Sequence, residues 1–228
     1  MILSANQPYF APFPGFFYKA WMSDLFVILD DVQFPQGTTW ITRNRFKSHQ
    51  GALWITVPVW KKGLGLQKIS EVRICHEGRW AKKHLESLKT AYRKAPYLSD
   101  HMGFLEELFS ERNEKLGDLN LAVIQHLMRA LAIKTKLVLL SDLNVSSTGS
   151  QRLVDLCTRL GASQFVAQAP ARKFLDEKLF LDAGVKIAYV NPPTPMYPQL
   201  WGDFLPNLST FDLVLNCGPR SQEILISR

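Results

Sequence analysis

An α/β fold with a mostly parallel sheet is what this chain predicts, and three observations predict it. Five short apolar runs, at 1–4, 26–32, 137–141, 164–168 and 185–190, read as strands buried on both faces. Segments with helical spacing of apolar residues lie between them. The stretch 135–190 alternates strand, helix, strand, helix, strand without a break, the signature of a doubly wound, Rossmann-like sheet.

The elements follow in order. Residues 1–4 open the chain as a strand and 15–23 follow as a helix. The second strand, 26–32, is apolar until Asp30. Residues 38–75 interrupt the alternation: TTWITRNRFK and ALWITVPV flank SHQG as a β-hairpin, and KISEVRI offers a third strand. This insertion is a candidate flap. Residues 76–134 form a helical segment. In its first helix, 78–95, Trp80, His84, Leu88 and Tyr92 recur near every fourth position; in its second, 119–132, Leu119, Val123, Leu127 and Leu131 share a face. Helices at 149–160 and 173–183 end at Gly161 and Gly184, where C-caps are expected. The proline-rich loop 191–198 follows the last strand, where open α/β sheets place ligand-binding loops. The 228 residues are read as one domain, 1–228, carrying the hairpin insertion.

Composition narrows the class. Hydrophobic content of 46% and charged content of 21% are those of a globular chain. No run approaches the ~18 apolar residues of a membrane helix, and MILSANQPYF lacks a basic leader, so the expected location is the cytoplasm and no membrane span is expected. Three separated cysteines and five histidines without ligand spacing give no disulfide framework and no structural metal site. A net charge of +7 favours anionic partners: nucleotides, phosphates, nucleic acid or a lipid surface.

Several groups of residues are candidates for chemistry. The first βα loop, QPYFAPFPGFF, contains Gln7, Pro8, Tyr9 and Gly15 at a place where helix-start N–H groups commonly meet phosphate. Neither GxGxxG nor a P-loop is present. Asp30 and Asp31, followed by Gln33, stand at the end of the second strand as a base, as acceptors for sugar hydroxyls, or as ligands to Mg²⁺ held with substrate phosphates. Trp40, Arg43, Asn44 and Arg45 join a stacking ring to bidentate phosphate grips. Ser147, Thr148 and Gly149 begin a helix, and Gln151 has the spacing of a capping box. Asn216 and Cys217 close a helix begun near Ser209 and Asp212. The basic helix 78–95 carries Lys82, Lys83, Lys89, Arg93 and Lys94, either a solvated face or a nucleic-acid contact.

These words, read together, resemble the WbqC-like protein family: QPYFAPFPGFF, DLFVILDDVQF, W-x-x-RNRFK, WITVPV, WAKKH, YRKAPY, STGSQRL and PQLWGDFLPNLSTFDLVLNCGP occur in order over nearly the whole chain. The resemblance implies a transferase that adds an amino acid or acyl group, glycine among them, to a nucleotide-linked amino sugar for O-antigen and other surface polysaccharides. No cofactor is identified from the sequence, and Mg²⁺ stays possible. The positions the resemblance marks are Gln7, Pro8, Pro12, Gly15, Asp30, Asp31, Arg43, Asn44, Arg45, Thr148, Gly149, Asp212, Asn216 and Gly218. The chain departs from the pattern at Thr42, where an amide is expected, and at Ala169-Pro170-Ala171, where glycines are expected; the second change bears on the substrate more than on the fold. Two other readings stay open: an ATP-dependent nucleotidyl-transfer enzyme, which lacks its histidine motif here, and a non-enzymatic nucleic-acid module with tRNA as a partner. In the transferase reading Arg43 and Arg45 hold phosphates while Asp30 or Asp31 takes a proton from the attacking group.

Overall fold

A computed structural model describes residues 1–110 and 113–227. The chain begins with β1 (Ile2–Asn6), α1 (Pro14–Trp21) and β2 (Leu25–Ile28), then makes the hairpin of β3 (Arg43–Ser48) and β4 (Gly51–Thr56). Three helices follow, α2 (Trp80–Tyr92), α3 (Leu98–Leu108) and α4 (Leu116–Ala130). The chain then runs through β5 (Lys136–Leu139), α5 (Gly149–Leu160), β6 (Gln164–Gln168), α6 (Glu177–Asp182) and β7 (Lys186–Val190), and closes with α7 (Thr210–Cys217) and α8 (Ser221–Ile226).

Five strands form one sheet in the order β5-β2-β1-β6-β7, every neighbouring pair parallel. Counting only these strands along the chain, the order is 3-2-1-4-5, that of the doubly wound fold. The chain starts at the centre, winds outward to β5, and returns across the sheet to β6 and β7. The switch point therefore lies between β1 and β6.

Alternation along the strands supplies two cores. Phe26 and Ile28 of β2 join Phe16, Phe17 and Ala20 of α1 and Leu127 of α4 on one face. Val27, from the same strand, joins Leu3 and Ala5 of β1, Leu156 of α5 and Phe180 of α6 on the other. Local signals agree. Pro14 stands at the start of α1, where its fixed φ suits a helix and its missing N–H is not needed. Gly161 caps α5 in the left-handed region, with φ +72°.

On the α1 face the molecule carries an additional layer. The hairpin, α2, α3, α4 and α7 pack into the same core as α1, with β3 touching α2 and α7. At its centre is a buried polar cluster. Tyr92 Oη donates to Asp212 Oδ1 at 2.7 Å, Tyr197 Oη to Asp212 Oδ2 at 2.9 Å, and the Lys47 N–H to Tyr92 Oη at 2.9 Å. Lys47 Nζ donates to Gln199 Oε1 and to the Asp203 carbonyl at 2.9 and 2.6 Å. Burial raises the Asp212 carboxyl above its ordinary range against the opposing pull of both phenols, and pushes both tyrosines up.

Several expected elements are corrected. The second strand stops at Ile28, not at residue 32, because the chain beyond it is met by residues 67–70: Ile69 N–H donates to the Val32 carbonyl and Ser70 N–H to that of Asp30. KISEVRI is not a third hairpin strand. It makes isolated bridges to three different segments around a 3₁₀ turn, Ile69–Glu71. The helical segment holds three helices where two were expected, since α3 restarts just after Pro96. The helix expected at 173–183 contracts to Glu177–Asp182 behind a 3₁₀ turn at Ala169–Lys173. Among the described residues no helix is long and apolar enough to cross a membrane.

Candidate functional site

The carboxyl ends of β1 and β6 do not stay paired. Their register runs Ile2–Gln164, Leu3–Phe165, Ser4–Val166 and ends there. Pairing of β1 with β2 continues to Asn6, and that of β6 with β7 to Gln168. The last two residues of each strand therefore diverge at the switch point. Carbonyls alternate between a strand's two neighbours. Those of Ile2 and Asn6 accept from Asp24 and Leu29 on the β2 side, so that of Ala5 points toward β6, into the gap.

Lys19 fills that gap. Its Nζ donates to the Ala5 carbonyl and to Asn6 Oδ1, both at 2.8 Å. The residue is 5% exposed, and burial lowers its pKa from the usual lysine range to about 7. Lys19 lines a cavity of about 210 Å³ with Asn6, Leu153, Gln168, Pro170 and Leu175. From the far side Gln168 Nε2 donates to the Gly15 carbonyl at 3.1 Å, tying the end of β6 to the first turn of α1. A larger hollow, about 440 Å³, is lined by Asp24, Lys134 and Thr135 at the opposite, amino-terminal edge of the sheet; the fold places ligands at the carboxyl edge.

None of the candidate site residues singled out in the sequence is among those that line this cavity. Gln7 and Tyr9 are half-buried beside the end of β1. Pro8 is buried, and its carbonyl accepts from Asn120 Nδ2 at 2.8 Å. The loop beyond is anchored on every side. Asn44 Nδ2 donates to the Phe10 and Ala11 carbonyls at 3.1 and 2.8 Å, Thr210 N–H to that of Pro12, and Phe10 N–H to that of Trp40. Asn44 is fully buried, so its structural part is that of a staple between the hairpin and the first βα loop. A Cβ on Gly15 would come within 2.8 Å of the Phe13 ring and 3.3 Å of Pro192 Cβ. What approaches this glycine is thus side chains of the chain itself, Phe13 first and then Pro192 of the 191–198 loop.

Asp30 and Asp31 do not converge. Asp30 Oδ1 accepts from the Ser141 N–H at 3.1 Å, joining the end of β2 to that of β5, while Asp31 pairs with Lys68 at 2.8 Å. Gln33 is exposed, bridged through its backbone to Lys68. Among the described residues no three His, Cys, Asp or Glu side chains gather as a metal set. On the hairpin, Arg43 lies 3.6 Å over Trp54, which stacks on Trp40 at 5.9 Å; both tryptophans are 41% exposed. Arg45 is directed elsewhere, to the Pro206 and Asn207 carbonyls.

The capping box expected before α5 does not form: Thr148 makes no side-chain cap bond, and Ser147 and Gln151 both donate to Asp155. Gly149 takes a positive φ at the first residue of the helix. Asn216 donates to the Asp212 carbonyl within α7. In α2 the Trp80, His84 and Tyr92 face is packed inward, Trp80 against His76 and Phe109, while Lys82 and Lys83 are exposed. Burial raises the Cys217 thiol, which leaves it a poor nucleophile.

The three polar residues of the crevice, Asn6, Lys19 and Gln168, were absent from the sequence-derived candidates. The signal for Lys19 was available. In GFFYKAW it is one cation on a stripe with Phe16 and Ala20, three residues after one and one before the other.

Strand order and layers make this a doubly wound α/β protein with a grafted antiparallel hairpin. More specifically, the chain belongs to the WbqC-like protein family, whose model matches residues 7–224. The uncharacterized protein Rv1507c of Mycobacterium tuberculosis is 32% identical over 222 residues, which cover 96% of this chain and 95% of that protein. No solved structure matches the chain.

Proposed function

We propose that the protein is a transferase that adds an aminoacyl or acyl group, glycine among the candidates, to a nucleotide-linked amino sugar destined for surface polysaccharide such as O-antigen. The chemical class is the one that resemblance to the family suggests. The observation that carries the reading is the crevice at the switch point, a mainly apolar opening with Asn6, Lys19 and Gln168 as its polar groups, where this strand order binds ligands. The net charge of +7 suits a diphosphate-bearing substrate. In this reading Arg43 grips phosphate from its seat on Trp54, and Trp40 offers a further ring face to base or sugar. Mg²⁺ accompanies the diphosphate, as it commonly does, held chiefly by phosphate oxygens.

The test is a thermal-shift panel of nucleotide amino sugars, plain nucleotides and acyl or aminoacyl donors, with and without Mg²⁺, followed by mass spectrometry for the acylated sugar. A ligand at 100 times its Kd stabilises the native state by about 2.7 kcal/mol. The expected result is a shift with one nucleotide amino sugar and a product heavier by the acyl group. A second reading rests on the exposed Arg43–Trp54–Trp40 stack, which also suits single-stranded nucleic acid. Salt-sensitive RNA binding without any small-molecule shift would favour it and overturn the transferase.

A further inference from the structure

The two carboxylates at the end of β2 are each engaged away from the crevice, Asp30 with the Ser141 N–H and Asp31 with Lys68. Acyl transfer to an amine needs a group that takes a proton, and the crevice itself contains one candidate. We propose that Lys19 is the proton acceptor of the transfer: its amine takes a proton from the attacking amino group of the sugar and returns it to the departing group of an activated ester or thioester donor. The proposal rests on the transferase reading for its substrate, but not for the property of Lys19 on which it depends.

Geometry favours a neutral amine at this position. Lys19 Nζ has two acceptors, the Ala5 carbonyl and Asn6 Oδ1. They match the two hydrogens of an uncharged amine. Neither acceptor is ionised. From β1, β2 and β6, from α5 and from the 3₁₀ turn after β6, the side chains that line the cavity are apolar or amide; Lys19 alone among them ionises. The Phe26 ring, 5.6 Å away, turns its face to the amine and favours the cation, weakly at this distance. An amine with a pKa of about 7 is half unprotonated at neutral pH; an ordinary lysine has roughly one part in 3,000 in that form.

The step balances. The sugar nitrogen forms a bond to the acyl carbon, the bond from that carbon to oxygen or sulfur breaks, and the nitrogen gives up one proton. Lys19 holds that proton as an ammonium and delivers it to the alkoxide or thiolate that leaves, ending neutral. Lysine serves here where a guanidinium would fail, because arginine does not release a proton in proteins.

Two measurements decide the matter. The first needs no substrate: wild-type protein is treated with trace acetic anhydride between pH 5 and 10, and each lysine is followed by peptide mass spectrometry. Lys19 is expected to reach half its maximal reactivity near pH 7 and then level off, while the pooled surface lysines continue to gain about tenfold per pH unit. A Lys19 that stays unreactive in the folded protein, or that follows the surface lysines, overturns the proposal. The second measurement compares wild type, Lys19→Met and Lys19→Arg in the transfer assay. Both variants are expected to lose about 10²–10⁴-fold in kcat with KM nearly unchanged, and the wild-type kcat is expected to rise with pH to a plateau through a limb that Lys19→Met lacks. Transfer that survives in Lys19→Met refutes the role of Lys19 while sparing the transferase. A Lys19 that titrates near pH 7 in a protein without transfer activity refutes the transferase and leaves a crevice amine that is free at neutral pH.

Discussion

Asn44 shows how one side chain can join two segments distant in sequence. It sits between Arg43 and Arg45 on β3, and the period-two rule turns it to the face opposite theirs. There it is fully buried, donating to two carbonyls of the first βα loop while its own Oδ1 accepts the Arg45 N–H at 2.8 Å. Asn44→Ala would leave the Phe10 and Ala11 carbonyls without that donor in a site closed to water. Each such loss costs about 1–3 kcal/mol, so the variant should lose about 2–4 kcal/mol in urea unfolding. A loss below about 0.5 kcal/mol would mean that water or a shifted loop replaces the staple. The sequence displayed this residue among candidate ligand contacts because its neighbours are arginines; alternation alone would have turned it inward. Lys19 was legible in the same way, through its place on an apolar helical stripe. That it meets a diverging strand was not, because divergence depends on how β1 and β6 pair across 160 residues of intervening chain, roughly.

At the scale of elements, α3 and α4 meet through a pair of histidines. His101 Nδ1 and His126 Nε2 are hydrogen-bonded at 2.8 Å, and the His126 ring lies flat on Phe104 with centroids 3.8 Å apart. Burial, then His101, then Arg129 hold His126 down to about 4; burial lowers His101 too, against Asp100. Between that value and the ordinary histidine range near 6.5 the unfolded chain binds more protons than the native one. Stability present at neutral pH is therefore lost as pH falls from about 6.5 to about 4, by about 1–2 kcal/mol after allowance for partial solvent screening. Urea unfolding at pH 7 and pH 4.5 should show a larger drop in wild type than in His126→Phe by that amount; parallel drops would remove the histidine pair from the account. This contact was invisible in advance, since α3 itself was missed behind Pro96. The opposite error was made at 68–74, where alternating letters suggested a strand but no single partner strand exists to complete a ladder.

For the whole molecule, alternation of strand and helix was enough to announce the sheet, and the near-universal right-handed crossover leaves few ways to wind it. What the alternation could not announce is that the hairpin, the helical segment and the C-terminal helices form one layer on the α1 face. That layer depends on contacts such as Tyr92 to Asp212, 120 residues apart. Its buried cluster lies beyond any local pattern, although Asp212 stood in a recognisable word. The candidate site followed the same division. The edge of the sheet that holds it was predictable from topology, whereas the residues that line it were fixed by tertiary contacts.

The Tyr92–Asp212–Tyr197 cluster has a consequence for how the protein is made. Synthesis proceeds from the amino terminus, and all five sheet strands have been delivered by Val190, before the acceptor that two tyrosines require. A chain arrested on the ribosome through a long linker appended after residue 200 therefore has the material for its sheet outside the exit tunnel and lacks the carboxylate that closes the hairpin layer. Pulse proteolysis of such arrested chains should find the sheet strands protected and the segment around Tyr92 open to cleavage. Equal protection of both would show that the layer closes without its last helices. On the expected outcome one face of the nascent protein stays unfinished until the segment carrying Asp212 is available, and that segment acts as the latch that turns a vulnerable chain into a durable one.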